Sequence, residues 1–116
     1  MSEIMHELTI AGNIIDIVSS EAAKAGSSPV KEVNLEIGLL AGIEYESLNF
    51  ALEALKKGTV LDSASFIIEK PAGMCKCDNC GYEFTIESFL GSCSACGSQD
   101  LQIIKGSELR VKSITI

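Results

Sequence analysis

The sequence predicts an α+β fold: two helices packed on a small three-stranded sheet, with a cysteine-rich hairpin module set into it. Three observations carry this expectation. Apolar residues recur at spacings of three and four over residues 4–25 and 48–55. They alternate with polar residues over 32–40. Between about 73 and 104 both periodicities lapse, and all five Cys gather there. At 116 residues the chain is long enough for one domain with a small appended module.

The first helix is read from Ile4, Leu8, Ala11, Ile15, Val18, Ala22 and Ala25, which form one stripe on a 3.6-residue period. Gly26 ends it, and "GSSP" at 26–29 makes the turn. In "EVNLEIGLL", residues 32–40, Val33, Leu35, Ile37 and Leu39 face one side and Asn34, Glu36 and Gly38 the other, as in a half-buried strand. A second helix is expected over about 44–57, with Leu48, Ala51, Leu52 and Leu55 on its apolar face and Gly58 as its stop. "ASFIIEK", 64–70, reads as a strand broken by Pro71 and Gly73, and "SELRVKSITI", 107–116, as a last strand rich in β-branched residues.

Charge narrows the function classes. A formal net charge of −7 opposes nucleic-acid binding, because such binders draw most of their affinity from Lys and Arg displacing counterions at phosphates. "MSEIMHELTIAGNIID" has no basic n-region, and no apolar run approaches the roughly 18 residues of a membrane span. The expectation is a cytoplasmic chain with neither a membrane nor a nucleic-acid partner.

The insert over 73–104 cannot fold on apolar burial alone and needs a cross-link or a metal. Cys77 and Cys80 bracket two residues, and so do Cys93 and Cys96, with residues 81–92 between the pairs. In a cytoplasmic setting such pairs favour a metal over disulfides. Four thiolates that can turn toward one centre suit a tetrahedral Zn²⁺ site. Gly81 and Gly97 follow the pairs, where small residues let the backbone turn tightly and bring N–H groups to the sulfurs. Tyr82, Phe84 and Phe89 are expected to shield the ion. The knuckles also resemble those of rubredoxins, so a rubredoxin-like iron electron carrier is the alternative. A redox Cys-x-x-Cys normally opens a helix in a βαβ setting, and neither pair does so. Cys75 lies too close to Cys77 to share one tetrahedral site and is read as a spectator thiol. Four protein ligands leave no open position on the ion, so the site is structural and no enzyme activity is expected.

His6, the sole His, stands in "MHELTI" where the first helix begins. Alone it reads as a helix-start residue, with Glu7 complementing the macrodipole. Several stretches extend that reading: "MHELTIAGNII" at 5–15, "VNLEIGLLAGIE" at 33–44, "LNFALE" at 48–53, "GT" at 58–59, the two knuckles, "CGS" at 96–98 and "ELRVKSITI" at 108–116. Together they resemble the HypA family, nickel-delivery metallochaperones of [NiFe]-hydrogenase maturation, across residues 5–116.

The resemblance implies two parts. Residues 1–72 plus 105–116 would form a nickel-binding α+β domain, and 73–104 a rubredoxin-like zinc-binding β-hairpin module. It implies structural Zn(II) on Cys77, Cys80, Cys93 and Cys96, and transferable Ni(II) on Met5, His6 and Glu7. It further implies two protein partners, the GTPase HypB and the hydrogenase large-subunit precursor; a monomer and a homodimer are both compatible with the sequence. No G-x-x-x-x-G-K-[ST] nucleotide loop occurs in the sequence.

An imidazole beside a free terminal amine anchors Ni²⁺ and lets backbone amides deprotonate, giving the square-planar nitrogen set that this ion accepts readily. Here "MSEI" precedes Met5. Two readings follow. Translation starts at Met5 and restores the amine; or Ile4 continues the stripe, Ser2 caps the helix, and nickel relies on His6 with Glu7 or Glu3.

Overall fold

The computed structural model describes residues 2–26, 29–86 and 91–116, with side chains from His6 onward. Helix α1 spans Ser2–Lys24 and is followed by strand β1, Glu32–Ile37. Helix α2 spans Tyr45–Leu55. Strands β2 (Ser65–Glu69), β3 (Gly73–Cys77), β4 (Glu83–Ile86), β5 (Leu101–Lys105) and β6 (Leu109–Thr115) complete the order. The α+β class holds. The strands form two three-stranded sheets, ordered β2-β1-β6 and β4-β3-β5. Among the described residues no helix is long and apolar enough to cross a membrane.

The chain divides into two compact units. One comprises Met1–Leu35, Ile43–Ile68 and Val111–Ile116, the other Glu36–Gly42 and Glu69–Arg110. In the first, α1 packs against α2. The core takes Ile10, Ala11, Ile14, Ile15, Val18 and Ala22 from α1, and Leu48, Ala51 and Leu52 from α2. Val30, Val33, Leu35, Leu61 and Ala64 complete it. Burying a side chain of this kind contributes about 1.5–3 kcal/mol, which is why the three-and-four spacing of the sequence becomes the packed face of α1. Both flanks of β1 are tied in: the Lys31 N–H donates to the Thr115 carbonyl (2.7 Å), and the Ser65 N–H to the Lys31 carbonyl (3.0 Å).

Gly26, at φ 103°, terminates α1 as expected. After α2, Gly58 adopts φ 78°, and its N–H donates to Asp62 Oδ2 at 3.1 Å. Three expectations need correction. Leu55, placed on the apolar face of α2, is its last residue and is 40% exposed. Leu8 is only half-buried, and Ala25, beyond the helix end, is exposed. The strand expected to reach residue 40 stops at Ile37, so Leu39 turns outward and Leu40 is buried instead.

The reason for that last shift is a close approach within the second unit. A Cβ added to Gly38 would overlap the Gly106 carbonyl, and one added to Gly73 would overlap the Leu40 side chain. Only glycine lets the backbones meet so closely. The contact is fastened by the Leu40 N–H donating to the Gly106 carbonyl (2.7 Å), the Gly38 N–H to the Glu108 carbonyl (2.9 Å) and the Leu39 N–H to the Pro71 carbonyl (3.0 Å).

The cysteine-rich segment is more than a hairpin. β3 pairs antiparallel with β4, aligning Cys75 with Phe84, and antiparallel with β5, aligning Cys77 with Leu101 and Cys75 with Ile103.

Candidate metal centre

Strand β3 ends on Cys77 and aims it inward, because alternate residues of a strand share a face. Gly73, Cys75 and Cys77 are buried while Lys76 is exposed. The chain then makes two matching turns. At the first, the Cys77 N–H donates to the Tyr82 carbonyl (2.9 Å) and the Gly81 N–H to the Cys77 carbonyl (2.8 Å). At the second, the Cys93 N–H donates to the Ser98 carbonyl (2.7 Å) and the Gly97 N–H to the Cys93 carbonyl (2.7 Å). Gly81 and Gly97 adopt φ of 79° and 78°, in the left-handed region. The glycines therefore close the turns. Backbone N–H groups also reach the sulfurs, among them Cys80 to Cys77 Sγ and Ala95 to Cys93 Sγ, both at 3.4 Å.

The four sulfurs converge, with all ligand atoms within 4.8 Å of one another. Cys77 Sγ lies 3.6 Å from Cys96 Sγ, and Cys80 Sγ 3.5 Å from Cys93 Sγ. A disulfide needs about 2.05 Å. A tetrahedron built on Zn–S bonds of about 2.3 Å has edges of about 3.8 Å, so the separations fit one tetrahedral ion with four thiolate ligands.

Cys77 and Cys93 are buried, whereas Cys80 and Cys96 are exposed. Tyr82 and Phe84 stack on each other, ring centroids 5.6 Å apart and 18° between planes. Tyr82 is itself 47% exposed, and the exposed Cys80 and Cys96 show that shielding is incomplete. Phe89 lies outside the described residues.

Without an ion, four sulfurs this close cannot all be ionised. The Asn79 side-chain amide donates to Cys96 Sγ at 3.5 Å. It is the main reason the Cys96 thiol is pulled down to about 6, helped by the Ser98 backbone and the Cys77 and Cys80 sulfurs against the effect of burial. Cys80 has its largest single influence from the Tyr82 backbone, which lowers it. The Cys93 sulfur, burial, and the Cys96 and Cys77 sulfurs together outweigh this and push it up to about 12. Asn79 was not singled out by the spacing of the cysteines; its signal is an amide side chain lying between the first pair.

Cys75 stays out of the four-sulfur group. It is fully buried in β3, and burial, then the nearby Cys93 and Cys77, push its thiol up. That is the setting of an inert buried thiol.

A model of one protein family, described as hydrogenase/urease nickel incorporation, metallochaperone, HypA, matches residues 5–116. The chain belongs to the HypA family. Its curated relatives include the hydrogenase maturation factors HypA of Chlorobaculum tepidum and Parabacteroides distasonis. The first is 41% identical over 97% of this chain and 99% of its own length, the second 43% over 97% of each. The fold is similar to the solution structure of the Ni metallochaperone HypA from Helicobacter pylori. That comparison has a TM-score of 0.68 at 21% identity and covers 95% of this chain and 96% of the other. The rubredoxin-like alternative draws no support from these HypA matches.

Of the two readings of the chain ahead of Met5, the helix agrees with the one in which Ile4 continues α1. α1 already begins at Ser2, so Met5, His6 and Glu7 lie within the helix and not at its start, and Ser2 is its first helical residue. His6 is exposed. Glu7 is 1% exposed, and its Oε2 accepts the Glu44 N–H at 3.0 Å. The side chain of Met5 lies outside the described residues. The structure thus brings the four cysteines together and sends His6 and Glu7 in different directions.

Proposed function

We infer that this HypA chain accepts Ni²⁺ at the His6 end of α1 and passes it on for [NiFe]-hydrogenase maturation, while the four cysteines hold Zn²⁺ permanently. The observation that carries the reading is a contrast inside a family of nickel-incorporation metallochaperones. Among the described residues, the four cysteines are the one group of three or more His, Cys, Asp or Glu side chains that converges. A closed four-thiolate cage retains its ion. The nickel donor must release its cargo, and an exposed imidazole at His6 suits release.

On this reading the nickel role belongs to residues 1–72 plus 105–116 and the zinc role to 73–104. The chain works in the cytoplasm, catalyses no reaction itself, and hands nickel on beside a separate GTPase, HypB, to the hydrogenase large-subunit precursor. The lack of a phosphate-binding loop in the sequence supports a separate nucleotide-hydrolysing partner.

Calorimetric Ni²⁺ titration of the 116-residue chain, and of a chain beginning at Met5, tests the site. Binding in both, tighter and with a square-planar absorption band when Met5 carries the free amine, is the expected result. No nickel binding by either chain overturns the reading.

A further inference from the structure

We propose that Glu7 is a positioning residue, whose carboxylate fastens the nickel-bearing part of α1 to the start of α2 and does not itself ligate the ion. This rests on the nickel reading above for its functional consequence, while the fastening stands on geometry alone.

Successive residues of an α-helix point about 100° apart. Here that rotation separates an exposed His6 from a Glu7 that is 1% exposed. An ion arriving from solvent at the imidazole therefore does not meet the Glu7 carboxylate. Glu7 instead sits on the packed stripe of α1, one turn before Ala11, where the rest of the face is Ile, Ala and Val. A carboxylate in such a place is costly unless it is hydrogen-bonded. Its Oε2 takes the Glu44 N–H at 3.0 Å, and Glu44 is the N-cap of α2, its own side chain accepting the Glu46 N–H at 2.9 Å. The two glutamates form a relay, Glu7 holding Glu44 and Glu44 capping α2. The positive end of the α2 macrodipole favours a negative group there. Glu7 Oε1 is buried with no hydrogen-bond partner among the described residues, so the carboxylate is fastened through Oε2, which takes the Glu44 N–H.

The test uses the zinc-loaded full chain and three variants, Glu7→Gln, Glu7→Asp and Glu7→Ala, with two readouts. One is amide hydrogen exchange at Glu44 before nickel is added; the other is Ni²⁺ affinity and absorption spectrum. Gln keeps an oxygen for the Glu44 N–H. It is expected to exchange like the parent and to bind Ni²⁺ within about twofold, with an unchanged spectrum. Ala, and Asp with its shorter reach, are expected to speed Glu44 exchange at least tenfold. Both should weaken Ni²⁺ several-fold while leaving the spectrum unchanged, because the ligand set is the same. The Asp variant guards against failure of Ala to fold. Loss of nickel or a changed spectrum in Glu7→Gln would make the carboxylate a ligand and overturn the proposal. Unchanged Glu44 exchange in Glu7→Asp and Glu7→Ala would overturn it as well. If no chain, parent included, binds nickel, the functional reading falls, and the exchange data still decide the fastening.

Discussion

Gly38 and Gly106 meet backbone to backbone, so closely that a side chain on Gly38 would have to occupy the Gly106 carbonyl. The obstacle is main chain already held by the Leu40 N–H at 2.7 Å, and it cannot swing away as a flexible side chain would. Gly38→Ala is expected to cost about 3 kcal/mol or more, the upper range for overpacking. That corresponds to a drop in Tm of roughly 10 °C or more for a chain of this size. Gly12→Ala, with nothing within 4 Å of the added carbon, is the control and is expected to hold or gain stability. Thermal unfolding of both variants checks the contrast.

The α2 face gives a second prediction. Leu52 is fully buried, whereas Leu55 is 40% exposed. Leu52→Ala is expected to destabilise by about 2–5 kcal/mol, and Leu55→Ala by less than about 1 kcal/mol. Denaturant midpoints measure the difference; equal losses would restore Leu55 to the core.

Zinc affinity should fall with acidification in two stages. Cys80, pushed up to about 12, carries its proton at neutral pH, so the ion must displace it. Affinity then falls roughly tenfold per pH unit for each proton displaced. Cys96, held down to about 6, is already a thiolate at pH 7 and joins the competition only below that value. The slope of log affinity against pH should therefore steepen below about pH 6. Competition titrations with a chromophoric chelator between pH 5 and 8 read it directly. Asn79→Ala removes the largest influence lowering Cys96 and should move the break to higher pH.

His6 is exposed, so His6→Ala should leave stability within about 0.5 kcal/mol. Nickel affinity, measured calorimetrically, should drop at least tenfold if the imidazole anchors the ion as proposed.

What the residue pattern disclosed follows from which forces leave periodic marks. Burial does, and α1, β1 and α2 were legible from it; β2 and β6, which hold no buried residue, were legible instead from their β-branched content and the break at Pro71 and Gly73. Metal ligation does too: two Cys-x-x-Cys pairs announce four convergent sulfurs. β3, β4 and β5 carry no such mark, being four or five residues long and lying in a segment that a metal, not an apolar face, holds together. The swap of Leu39 for Leu40 arose because Gly38 meets Gly106, a contact between residues far apart in sequence. The divergence of His6 from Glu7 was half legible. Glu7 stands on the stripe of Ala11, Ile15, Val18 and Ala22, but the motif "MHE" invites reading both side chains as partners.

The sulfur cage has an indoor and an outdoor half. Cys77 and Cys93 are anchored inside, while Cys80 and Cys96 stand at the door. A chelator or alkylating reagent must enter through that door, so the outdoor thiols react first. Dismantling is then ordered: the ion is unfastened from the water side while the indoor pair still keeps its seat.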